Sequence, residues 1–504
     1  MSNTNLIEQK ILAGLIQSTD FLKEVRQDIK TKYFSTRVGR DVANFCLNHF
    51  DKYNEAPREN IDVYLDNIRN QGDSDRTVDV VSIMNRLANK IEINLNYLVG
   101  ETYEFFKTKS AMELAEKISN AAVSGEYDEL SRLVNSASVV ERPQSIGISP
   151  FKREAYEKAF GEDKVTLFGY EGAIGTILNS EFYRGAFFSY IAKTKGGKSF
   201  YLMDNAIVAL KQGLKVVYIQ AGDMSEAAFL KRFYTALTKR NYKPQYCKEH
   251  YSPIPDCVHN QRGDCSLKKY CSAVQLFTDD EKKTKAEIVQ AIEKTKGYEA
   301  CTYCQHNPNN CMRYKFAPSY VKVKEKRPLQ LKDIEKVKKD YEHLQDNLRI
   351  ATYHNNSLSC CMIESLLDGW AKQDDFFPDV VIVDYLDIMV DKGMLKDQRQ
   401  TIKNNVAMGL RRISTKYDIC LITATQSDSN GFHGNKLGMS NFRDESKILT
   451  HFTAMVGINQ NEEAKDLGIV YMNKIMSRDE ETNEHSIKVC QDLWIGKPIL
   501  RTSE

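Results

Sequence analysis

Residues 191–200 read IAKTKGGKSF, and few folds accommodate such a stretch. Ala192-Lys193-Thr194-Lys195-Gly196-Gly197-Lys198-Ser199 fits G-x-x-x-x-G-K-[ST], with Ala192 in the first glycine slot. In this pattern consecutive backbone N–H groups surround a phosphate chain, Lys198 reaches the outer phosphates, and the Ser199 hydroxyl holds Mg²⁺. The flanks agree. Residues 185–191 (GAFFSYI) read as a strand entering the loop, and residues 200–210 as a helix leaving it.

Two later strands end in groups of matching chemistry. Residues 380–387, VVIVDYLD, form an apolar run ending in Asp384, a carboxylate able to hold the water shell of Mg²⁺ beside the phosphate loop. Residues 421–426, LITATQ, end in Gln426, an amide suited to sensing an outer phosphate or orienting water. Residues 215–220 (KVVYIQ) end just before Gly222-Asp223, where α/β sheets place ligands. From residue 166 onward strands and helices alternate, which predicts an α/β domain with a mainly parallel sheet. A late strand, residues 470–478, carries Lys474 and Arg478, two cations able to reach a nucleotide across a subunit interface.

The first 138 residues read as a helical domain. Leu6, Ile7, Ile11, Leu12, Leu15 and Ile16 recur at helical spacing, with Asn5 as N-cap and Glu8 three positions on. Further amphipathic runs cover about 38–50, 78–93 and 97–122. Residues 139–165 read as a linker containing a short docking helix at 150–160, with Phe151, Tyr156 and Phe160 near helical spacing. No apolar run approaches the roughly 20 residues of a membrane helix, and residues 1–20 do not read as a signal peptide. The expectation is therefore a cytoplasmic protein with no membrane partner. A net charge of +2 excludes a globally basic nucleic-acid binder, though not a locally basic one.

Residues 241–345 interrupt the alternation. They carry 20 Lys and Arg against 14 Asp and Glu, and seven of the twelve cysteines. Cys247, Cys257, Cys265 and Cys271 supply one set of thiols, and Cys301, Cys304 and Cys311 a second, with His306 or His259 as a further ligand. Clustered cysteines in a chain without an export signal point to structural Zn²⁺, which takes four tetrahedral S/N ligands. The expectation is a zinc-stabilised, cysteine-rich insertion on the surface of the domain, outside its active site, which either contacts DNA or an acidic partner or is a solvated, metal-stapled spacer with no partner.

The order of these motifs resembles that of DnaB-type replicative helicases, in the divergent form found in phages. The resemblance rests on residues 8–16 (EQKILAGLI), the phosphate loop, Gly222-Asp223-Met224, residues 383–386 (VDYL), Gln426, and residues 440–446 (SNFRDES). It implies a helical N-terminal domain followed by a RecA-like P-loop ATPase domain at 166–504. It also implies a homo-hexameric ring that encircles single-stranded DNA, moves on it by hydrolysing ATP with Mg²⁺, and works with a primase or helicase loader in a bacterial cell or phage-infected host. Residue by residue, Lys198 and Ser199 bind phosphate and Mg²⁺ and Asp384 supports the metal. Asp223 stands in the place of the family's catalytic glutamate, with Glu226 as fallback. Arg478, with Lys474, would act on the neighbour's nucleotide, although these two are four apart where the family has K-x-R. DNA contacts would fall on Lys392, Lys396, Arg399, Lys436 and Arg443. A RecA-like recombinase or DNA-dependent ATPase without unwinding activity, and a nucleotide-binding scaffold, are the alternative readings.

Overall fold

In the strand Phe187–Ala192 (β1) every residue is buried. Phe188, Tyr190 and Ala192 enter one apolar layer and Phe187 and Ile191 the opposite one. Such a strand needs cover on both faces, as parallel strands with crossover helices obtain it. Val216–Gln220 (β2) and Val380–Asp384 (β6) are likewise buried throughout.

The computed structural model describes residues 3–26, 28–70, 95–125, 149–161, 164–267, 274–279, 281–307, 309–391, 399–426, 446–478 and 486–503. The chain divides into two compact units, Met1–Glu162 and Asp163–Glu504. The second unit also contains His250–Cys257 (β3), Phe316–Val323 (β4), Leu348–Thr352 (β5), Cys420–Gln426 (β7), Ala454–Asn459 (β8), Ile469–Ser477 (β9), Ser486–Asp492 (β10) and Lys497–Ser503 (β11). Among the described residues nine strands form one sheet in the order β11-β10-β9-β8-β1-β7-β6-β2-β5, while β3 and β4 pair separately. From β8 to β5 the neighbours run parallel, and β9, β10 and β11 extend the sheet antiparallel. The alternation predicted from residue 166 is present.

The first unit is helical where described: Asn3–Gln17, Thr19–Val25, Arg37–Tyr53, Ile61–Asn70 and Leu95–Ser124. Its core gathers Ile11, Leu15, Phe21, Val42 and Phe106. Glu8 is not a capping residue. It is buried and accepts hydrogen bonds from the Ser35 backbone N–H (3.0 Å) and hydroxyl, with Lys109 at 3.6 Å. The carboxylate thus ties the first helix to the segment leading into the third and to the long fifth. The run expected at 78–93 lies outside the described residues. The helix Arg153–Gly161 is present, and Phe151 and Phe160 beside it are largely exposed.

The insertion is organised differently from the expectation. Among the described residues no group of three or more His, Cys, Asp or Glu side chains is placed to hold a metal ion. Among the described residues Cys247, Cys257, Cys265, Cys301, Cys304 and Cys311 enter no disulfide, and Cys271 lies outside them. Cys247 lies 3.2 and 3.3 Å from the carbonyl oxygens of Asn241 and Lys243, an arrangement that suits a neutral S–H donor. Burial, together with the neighbouring Cys257 and Cys265 thiols, pushes the Cys301 and Cys304 thiols upward. The organising group is a fully buried carboxylate, Asp256. It accepts from the backbone N–H of Cys257 (2.8 Å) and Cys301 (2.9 Å), from Asn260 (2.9 Å) and Gln261 (3.2 Å), and from the Tyr298 hydroxyl. A carboxylate so surrounded joins segments 45 residues apart and replaces the apolar side chains the segment lacks.

Asp256→Ala removes the buried acceptor that these donors share, at a cost of about 3–5 kcal/mol. Limited proteolysis of this variant should cut within 258–315 while the rest of the second unit stays resistant. An unchanged digestion pattern would show that the carboxylate does not hold the insertion.

Candidate active site

The sheet order sets the site. Strands β1, β7, β6 and β2 are neighbours, and the register pairs Ala192 with Gln426 and Asp384 with Gln220. The carboxyl-terminal ends of four strands therefore lie side by side. The loop after β1 turns through Lys195 (φ 63°) and Gly197 (φ 83°), and Lys198 opens the helix Lys198–Lys211. A left-handed conformation at Gly197 is the reason for glycine there.

Ser199 donates to Asp384 Oδ1 at 3.0 Å, and the Tyr218 hydroxyl donates to Oδ2 at 2.8 Å. Asp384 has no exposed surface. Burial raises its pKa to about 6, against the two hydroxyls that favour the charged form, while Asp223 adds to the rise. Lys198 is buried too. Its ammonium lies 3.5 and 3.4 Å from the carbonyl oxygens of Ala192 and Lys193 and 5.4 Å from the centre of the Tyr385 ring. Burial lowers its pKa, opposed by the carboxylates of Asp387, Asp384 and Asp223. The Gln426 side chain donates to the Thr194 hydroxyl of the phosphate loop. Asp223 is exposed at the end of β2, within electrostatic range of Lys198 and Asp384. It follows Gly222, where a Cβ would lie 2.2 Å from the backbone nitrogen of Asn355. Lys193, Thr194, Lys195, Gly196, Lys198, Ser199, Asp223, Asp384 and Gln426 thus belong to one site. Glu226 is exposed in the first turn of the helix Glu226–Thr238.

Sequence reasoning overlooked Asp387. It accepts from Thr425 (2.9 Å) and the Gln426 backbone N–H (2.7 Å), pairs with Lys403 at 3.0 Å, and leads the charges acting on Lys198. Its signal was the second acid of VDYLD, three residues after Asp384.

Lys474 requires a correction. It is buried on β9 and donates to Glu181 Oε1 at 2.7 Å, with Ser180 at 3.4 Å. Freeing it would strand the Glu181 carboxylate in the core, so it does not serve as a cation projecting from the subunit. Arg478 is exposed, and its guanidinium donates to the carbonyls of Phe452 (3.0 Å) and Thr450. Arg399 begins the helix Arg399–Lys416. Lys392, Lys396, Lys436 and Arg443 lie outside the described residues.

A buried carboxylate with a raised pKa weakens the fold once it ionises. Asp384→Asn should therefore stabilise the nucleotide-free, magnesium-free protein above pH 6, by up to about 3 kcal/mol. Its advantage should shrink as the pH falls from about 6 to about 4, where the native carboxyl is already protonated. Thermal denaturation of both proteins across this range is the check; a constant difference would mean that Asp384 does not titrate there.

No protein-family model and no curated protein matches the chain. Among solved structures, it is similar to one described as a DnaB-like replicative helicase and its interactions with primase, at 14% identity and TM-score 0.45, covering 98% of both chains. It is also similar to a second structure, described as an ATPase domain, at 13% identity and TM-score 0.41, covering 69% of this chain and 95% of that one.

Proposed function

We propose that this chain is an ATP-driven DNA helicase of the DnaB type, its second unit the motor and its first an assembly domain. The observation that carries the reading is the convergence of groups from three strand ends. Lys198 and Ser199 sit beneath the phosphate loop, Ser199 touches Asp384 185 residues away, and Gln426 touches Thr194 from 232 residues away.

The residues fit a divalent cation. The Asp384 carboxylate is buried against two hydroxyls, with Asp223 as a second acid nearby. Mg²⁺, when bound with nucleotide, would be held through Ser199 and Asp384 and would neutralise charge on the phosphates. The loop N–H groups and Lys198 bind the phosphate chain; Lys198 moves from the Ala192 and Lys193 carbonyls to the outer phosphates. Asp223, exposed beside them, accepts the proton of the attacking water. Gln426, fixed by Asp387 and Lys403, senses the outer phosphate. Phosphoryl transfer to water needs mainly such positioning and charge stabilisation. Arg478, exposed at the end of β9, is the cation offered to a neighbouring subunit's nucleotide in a ring. The apolar flank of the helix Arg153–Gly161 supplies a docking surface for that neighbour. Single-stranded DNA would bind through Lys and Arg contacts to its phosphates, without reading sequence.

Lys198→Ala should lower ATP hydrolysis by about 100-fold or more. Asp223→Asn should bind ATP normally and hydrolyse it at least about 100-fold more slowly. Hydrolysis measured with and without single-stranded DNA, beside an unwinding assay on a forked duplex, tests the whole reading. Stimulation by DNA without unwinding would reduce the protein to a DNA-dependent ATPase. Wild-type hydrolysis by Asp223→Asn would move the base elsewhere.

A further inference from the structure

The phosphate loop does not face open solvent on every side. Lys195, Gly196 and Gly197 line part of a cleft of about 320 Å³, and its further wall comes from the insertion, the segment between β8 and β9, and the turn after β10. That volume lies at the lower end of the roughly 300–1,000 Å³ of small-ligand sites. The insertion supplies His250 and Tyr251 from β3 and Lys285 from the start of the helix Lys285–Lys294; the turn supplies Asp492 and Trp494.

This wall is built, not incidental. Asp492 is buried and accepts from His250 Nε2 at 2.8 Å, from the Ser252 hydroxyl, and from the backbone N–H of Trp494 at 3.1 Å. One carboxylate therefore fixes the insertion's strand and the Trp494 backbone together. The imidazole of His250 lies 4.9 Å from the Trp494 ring, centre to centre, and Tyr246 supports that ring at 5.5 Å. Trp494 keeps 37% of its surface exposed. A large aromatic left partly open, held rigidly and facing a phosphate-binding loop, has the properties of a base-stacking platform.

We infer that this cleft is the nucleoside subsite of the motor. The phosphates lie on the loop, the base stacks against Trp494, and Lys285 lines the cleft beside the ribose. Asp492 is a positioning residue, and the insertion is a working part of the nucleotide site. The sequence had suggested a surface module instead. The inference rests on the reading of residues 192–199 as a nucleoside triphosphate site. Stacking on an indole face tolerates any base, so the subsite adds affinity for nucleosides more than choice among them.

The test compares binding of MgATP and of magnesium tripolyphosphate to the full chain by calorimetry. Trp494→Ala and Lys285→Ala should each weaken MgATP about tenfold and leave tripolyphosphate within about twofold, since only the nucleoside loses its contact. Trp494→Phe should restore most of the affinity. Retained tripolyphosphate binding shows that the loop is still folded in each variant. Tyr242→Ala lies in a second cleft on the far side of Trp494, which contains no phosphate-loop residue, and should change neither ligand. Trp494→Ala and Lys285→Ala variants that bind MgATP as the wild type does, or lose both ligands equally, would overturn the inference. So would a tenfold loss in Tyr242→Ala, which would move the base to the second cleft. Lys198→Ala should lose both ligands. Wild-type protein that binds neither would overturn the phosphate-loop reading itself, and the subsite with it.

Discussion

The second unit depends on one uncomfortable group, a carboxylate at the end of a fully buried central strand. Among the described residues the Asp384 carboxylate accepts from two hydroxyls, Ser199 on the helix after the loop and Tyr218 on the neighbouring strand. Taken out of water, such a carboxylate resists ionisation unless positive charge arrives. The surrounding elements are placed to supply it. The strand order puts β6 between β7 and β2, so Gln426 and Asp223 arrive on either side. The helix from Lys198 covers the front. An unfavourable buried charge thus becomes favourable when a cation and its phosphates arrive, and the protein carries the cost in the meantime.

The parts legible in the sequence were those whose chemistry is local. A buried strand followed by a glycine loop, a lysine and a hydroxyl residue has one common explanation, and Lys198 and Ser199 stand where that explanation puts them. The ends of β6 and β7 were legible for the same reason: an apolar run that stops at Asp384 or Gln426 announces the last buried position. The parallel core followed from runs too apolar to leave either face in water.

What was not legible came from partners far apart in the chain. Lys474 read as a cation at a strand end, but its partner Glu181 lies 293 residues earlier and no local pattern joins them. Asp387 stood in plain view, yet only the fold shows it bracing Gln426 and Lys403. The cysteines suggested a metal because their spacing is a strong local pattern. Asp256 was silent because a lone acid in a polar segment usually faces water, and only burial shows that this one gathers its neighbours.

The route of the insertion has a consequence for how the chain folds. It departs after β2 and returns before β5, at one edge of the sheet, yet its hairpin packs against β10 and β11 at the other edge. The Asp492–His250 bond closes a loop of 242 residues. Contacts of such long sequence separation form late and slow the search for the native state. Once formed, they fasten the β2–β5 edge of the sheet to the β10–β11 edge. Neither edge can then fray without pulling on the opposite one, so the chain gains resistance to opening from its ends, where open sheets are otherwise weakest.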